Sequence, residues 1–230
     1  MLFFDPIYLL FIAPGVLLAL WAQMRLSSTY NEASRIAPRS GLCGAEAADA
    51  VLQSAGVHGV RIEPVEGFLS DHYVPGEGVL RLSPGVYAQR SLAALGIAAH
   101  EAGHAIQDSR GYGLLRLRNA IVPVASIGSG AAWIIILAGF LLHMVGLILI
   151  GIAVFSLTVI FQLVNLPVEF DASRRARIAL VDGGLISAEE DEVVGRVLRA
   201  AAWTYVAATI TSILTLLYYL WRAGVLGGRD

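Results

Sequence analysis

The chain has 230 residues, 57% of them hydrophobic, with a mean hydropathy of +0.68, which is more apolar surface than a soluble domain of this length buries, so lipid must be part of its solvent. A net charge of −2 and a pI near 6.2 give no cationic field, and the arginines are dispersed rather than striped, which excludes nucleic acid as an expected partner. Cys43 is the one cysteine, so neither an internal disulfide nor a cysteine-rich zinc knuckle can form, and any metal must be held by histidine and carboxylate.

A membrane span needs about 20 apolar residues, and the first such window runs from Ile7 to Met24, within a segment 1–25. The preceding MLFFDP lacks the positive n-region of a cleaved signal peptide, so this segment reads as a retained helix. Residues 26–118 read as a small α+β domain. A helix through AEAADAVLQSAG stops at Gly56. GVRIEPVEG, HYVPGEG and VLRLSPG have the aliphatic runs and Gly/Pro punctuation of short hairpin strands. Ser83 and Pro84 supply an N-cap and first-turn signal, and a helix is expected over SLAALGIAAHEAGHAIQDSRG. Residues 119–168 carry no charge and suffice for two spans with a turn near Leu142 to Gly146. Residues 169–200 show helical periodicity broken at Gly183 and Gly184. A fourth span follows at 201–222, then a tail at 223–230.

Lysine is absent, so arginine placement sets the expected orientation. Nine arginines lie between Arg25 and Arg118 and five between Arg174 and Arg199, against Arg222 and Arg229 on the other side. Both hydrophilic segments are therefore expected in the cytoplasm of a multi-pass protein of the cell membrane.

His100, Glu101 and His104 form a His-Glu-x-x-His sequence. On a helix, residues four apart share a face about 6 Å apart, so both imidazoles can reach one zinc ion at roughly 2.0–2.1 Å. Glu101 is offset on the same turn and is placed to act as a general base toward water that the ion acidifies. A catalytic site needs a third ligand and an open position. Asp108 shares the face of His104. Arg110 occupies the position of the third ligand in the longer pattern. Glu169 is the better choice, because a two-span hairpin returns the chain to the membrane face that His104 left. His72 and Tyr73, in the strand region, could each donate to the oxyanion of a tetrahedral intermediate.

These residues sit in a wider set, FDP, SGLCGAEAA, EPVEG, DHYVP, LRLSPGVY, AAHEAGHAIQD, GYGLLRLRNAIVPVA, NLPVEFDASRRA and AAWTYVAA, by which the chain resembles the YugP-like family of bacterial neutral zinc metallopeptidases over nearly its whole length. The resemblance implies zinc ligation by His100 and His104, a general-base role for Glu101, and Glu169 as third ligand. It is more distantly similar to membrane metallopeptidases of the HtpX and CAAX prenyl protease type, where an Asp follows the metal-binding Glu by four residues. Here that position is Ser173, so the outer hydrogen bond to a zinc-bound histidine is assigned to Ser173 or to Asp171.

The expected fold is thus an α-helical polytopic membrane protein of about four transmembrane helices with a small α+β cytoplasmic zinc-peptidase domain. The expected partners are the lipid bilayer and a peptide or membrane-protein substrate, docked in extended form on a sheet edge such as VLRLS; no oligomeric state is specified. Two other readings are an intramembrane protease of the site-2 type, with Asp182 as third ligand and Asn165 and Pro167 nearby, and a membrane scaffold with structural zinc. Charges at Glu101, Asp108 and Arg110 make immersion costly, and a structural site has no use for Glu101.

Overall fold

The computed structural model describes residues 5–226, the side chain of Ser129 excepted. Residues 1–4 and 227–230, and with them Arg229 and the end of the expected tail, lie outside the described residues. The elements in order are helix α1 (Pro6–Ala33), α2 (Gly44–Ser54), strands β1 (Arg61–Pro64), β2 (His72–Val74) and β3 (Val79–Leu82), then α3 (Pro84–Tyr87), α4 (Leu92–Ser109), α5 (Gly113–Leu141), α6 (Val145–Asp182) and α7 (Ala188–Arg222).

Four helices, α1, α5, α6 and α7, are long and apolar enough to cross a membrane, and their most apolar windows are only 11–28% buried. Leu10 and Ile127 are each 74% exposed. Such faces suit lipid rather than water. All four helices overrun the expected span limits: α1 continues to Ala33, α5 begins at Gly113, α6 continues through Glu169 to Asp182, and α7 starts at Ala188. The reason is that hydropathy marks a change of solvent, whereas EFDASRRARIAL remains a run of good helix formers.

The chain divides into two compact units. The first comprises Met1–Ala22, Arg116–Leu166 and Trp203–Asp230. Within it, a Cβ at Gly139 would lie 2.8 Å from the Ile148 amide nitrogen and one at Gly151 3.0 Å from that of Ile136, so α5 and α6 meet backbone to backbone, as small residues allow in membranes. Tyr218 donates its hydroxyl to Asp5 at 2.8 Å.

The second unit comprises Gln23–Leu115 and Pro167–Ala202. Its core gathers Val51, Leu52, Leu80, Leu82, Leu95, Ile106, Leu180 and Leu198 around α4. That helix is buried on nearly every face because Ala93, Ala94, Ala98, Ala99, Ala102 and Ala105 let neighbours approach closely. Ser83 is the N-cap of the short α3, with Pro84 in its first turn as expected, and donates its hydroxyl to Asp71; Ser91, the first residue of the expected longer helix, caps α4 and accepts from the Ala94 amide at 3.2 Å.

The sheet runs in the order β1-β3-β2, with β1 parallel and β2 antiparallel to β3. Only β2 and β3 form the expected hairpin; β1 pairs across a longer connection, a relation that local turn signals do not encode. Since β3 is central and paired on both sides, VLRLS cannot be the docking edge expected from sequence. The free edges belong to β1 and β2.

Candidate metal centre

His100 and His104 stand one turn apart on α4, and Glu169 and Ser173 stand one turn apart on α6, so each pair shares a helix face. The two faces meet. Glu169 Oε2 lies 3.2 Å from His100 Nε2 and 3.7 Å from His104 Nε2. Among the described residues these three side chains, all buried, place their ligand atoms within 4.8 Å of one another. Donors on neighbouring corners of a tetrahedral zinc site are roughly 3.4 Å apart for bonds of about 2.1 Å, so the observed separations bracket what one ion requires. The donor set, two imidazoles and a carboxylate, also suits zinc and leaves a fourth position.

Each imidazole has its other nitrogen engaged. Ser173 Oγ lies 3.1 Å from His100 Nδ1, which makes Ser173 the immediate partner of that ligand. His104 Nδ1 lies 3.0 Å from Gln107 Oε1, a residue the sequence reading passed over although it sits three positions after His104 on the same face. Asp171 stands one step further out: its carboxylate accepts from Gln107 and is also gripped by Arg174 and Arg175.

The remaining expected residues separate. Glu101 accepts a hydrogen bond from the Tyr73 backbone N–H at 3.1 Å, so Tyr73 enters the site through its main chain. Its phenol donates to Asp108 at 3.0 Å. Burial first, then the hydrogen bond and charge of Asp108, push the phenol well above its ordinary pKa, keeping it a proton donor fixed on Asp108. Asp108 is thereby a partner of Tyr73 and not a metal ligand. His72 is exposed, with Nδ1 2.7 Å from the Ser70 carbonyl. Asp182, the third ligand of the intramembrane alternative, is exposed at the last residue of α6, 13 positions and roughly 20 Å along the helix from Glu169.

Gly103, between the two histidines, has a packing role that the sequence motif hides. A Cβ there would meet the Ala172 carbonyl oxygen at 2.5 Å, and a backbone atom cannot swing aside. Gly103→Ala must push apart the two helix segments that carry His100, His104, Glu169 and Ser173. The expected overpacking cost is about 1–3 kcal/mol, or roughly 2–12 °C in Tm. Thermal unfolding and a zinc titration on the same sample check this; an unchanged Tm with undiminished zinc affinity would show that the contact does not matter.

Two histidines on one helix, a carboxylate from a second, and a glutamate beside them define the class: a helical protein with three donors that could hold one metal ion. Comparison with known proteins agrees. Residues 8–224 match the family described as "Putative neutral zinc metallopeptidase", and the chain belongs to that family. It is 45% identical over 213 residues, 93% of this chain and 94% of the other, to the "Putative membrane protease YugP" of Bacillus subtilis (strain 168). No solved structure matches it.

Proposed function

We propose that this protein is a zinc-dependent endopeptidase of the cell membrane that hydrolyses peptide bonds of membrane or membrane-associated proteins at the cytoplasmic face. The observation that carries the reading is the combination of a three-donor cluster with Glu101, which ligates nothing in that cluster and faces the free edge of β2. When bound, zinc would supply Lewis acidity, polarising the scissile carbonyl and acidifying water. Glu101 takes the proton of the attacking water and returns it to the departing amine nitrogen.

Tyr73 supports an extended substrate. Its N–H points to Glu101 and away from β3, so its C=O, on the same side of the strand, also points outward. A substrate strand can accept from the one and donate to the other. Pro75, at the next outward position, has no N–H, which confines this edge to the Tyr73 pair. Because Glu101 occupies the Tyr73 N–H in the absence of substrate, a docking strand that takes this N–H frees the carboxylate for proton transfer. His72, with Nδ1 on the Ser70 carbonyl, can offer Nε2–H to an oxyanion only as the imidazolium.

Purified protein is expected to cleave β-casein, to lose at least nine-tenths of that activity on treatment with 1,10-phenanthroline, and to regain it with stoichiometric zinc. Cleavage indifferent to the chelator would remove metal from the chemistry. The cytoplasmic placement rests on the fourteen arginines of the two hydrophilic segments against two elsewhere. Reporter fusions in the Gly41 loop and near Ser187 should read cytoplasmic and one at His143 external; an external reading at Ser187 would reverse the assignment.

A further inference from the structure

We infer that Gln107 is a positioning residue that holds His104 in the tautomer and orientation needed to bind metal through Nε2, with Asp171 fixing which way round the Gln107 amide sits. The inference rests on the zinc reading above and adds the device that prepares one of its ligands.

Hydrogen-bond capacity fixes the orientation of the Gln107 amide. Gln107 has no solvent-exposed surface, so its amide must find every partner inside the protein. Its Nε2 lies 2.8 Å from the Val168 carbonyl oxygen and 3.0 Å from Asp171 Oδ2. The Val168 carbonyl can only accept, and an NH2 group has two hydrogens to share between it and Asp171, so the amide nitrogen must occupy that end. The oxygen is therefore the end that faces His104 Nδ1 at 3.0 Å. An amide oxygen donates nothing, so His104 Nδ1 must carry the hydrogen. That leaves the Nε2 lone pair, 3.7 Å from Glu169 Oε2, as the nitrogen directed into the ligand cluster.

Asp171 is held in its turn by Arg174 and Arg175, both of which donate to its carboxylate. With Asp171 absent, one amide hydrogen would lose its partner and the reason for the amide's orientation would weaken. Glutamine is the residue type that can accept at one end and donate twice at the other. A protonated glutamate can accept from His104 and donate once to Asp171. Leucine, similar in volume, can do neither.

The test compares Gln107→Leu, Gln107→Glu and Asp171→Ala with the parent protein, by zinc affinity in chelator competition and by 15N chemical shifts of the His104 ring in the zinc-loaded protein. In the parent, His104 should be protonated at Nδ1 and metallated at Nε2; metallation at Nδ1 overturns the inference without any variant. Gln107→Leu should weaken zinc by roughly 10- to 100-fold, the range for lost outer partners, and Gln107→Glu should bind more tightly than Gln107→Leu. A residue that merely filled space would give the opposite order, since buried leucine is tolerated better than a buried acid. Asp171→Ala should fall between the parent and Gln107→Leu. Parent-like affinity in Gln107→Leu with the His104 ring unchanged refutes the positioning role alone; a parent protein that binds no zinc refutes the zinc reading and this inference together.

Discussion

Glu101→Gln should keep a full equivalent of zinc and lose peptidase activity by about 10²- to 10⁴-fold in kcat/KM, the usual contribution of a positioned general base. Glutamine matches glutamate in shape, and its side-chain oxygen can still accept the Tyr73 N–H that Glu101 accepts at 3.1 Å, so neither the strand nor the ligands need move. What disappears is the ability to take a proton at that place. The pairing of readouts, kcat/KM on β-casein and zinc by elemental analysis, separates a lost base from a lost metal. Full activity in the variant would take Glu101 out of the mechanism and return the site to a structural zinc reading.

The second large effect is on metal binding itself. Glu169→Ala should reduce zinc affinity by more than the 10- to 100-fold typical of an outer partner, whereas Asp182→Ala should leave it near the parent value. Glu169 is 3% exposed and carries the oxygen that faces both Nε2 atoms; removing it leaves two donors where three stood. Asp182, although on the same helix, is roughly 20 Å further along it. Zinc per protein after mild chelation checks both variants together. Retained zinc in Glu169→Ala with loss in Asp182→Ala would transfer the third-ligand role to Asp182.

Several local features could be read directly. The strands around Ile62, Tyr73 and Leu80, the stop at Gly56 with its φ of +68° and the break at Gly183 and Gly184, where Gly184 has φ of +65°, all depend on short-range backbone preferences. Other features could not. The parallel pairing of β1 with β3 depends on contacts between segments separated by β2 and its turns, and no dipeptide announces it. Hydropathy located the apolar stretches but not every helix end: α7 ends at Arg222 as expected, but α6 continues beyond its apolar stretch to Asp182 and α7 begins before its own, at Ala188.

In the site the same division holds, and its physical reason is range. His100, Glu101 and His104 declare themselves because a 3.6-residue period alone brings two imidazoles to one face and sets a carboxylate beside them. The sequence by itself thus determined the helix that carries both imidazoles, the residue types available to a metal ion and the apolar character of four helices. It also narrowed the outer partner of a histidine to Ser173 or Asp171. Only the tertiary structure decided that Ser173 meets His100 directly while Asp171 accepts from Gln107, that Gly103 is a point where the helix segments carrying the histidines and Glu169 touch, and that Tyr73 meets Glu101 with its backbone rather than its phenol. Each of those depends on the approach of two segments distant in the chain, and on which of several possible donors and acceptors the approach leaves facing one another.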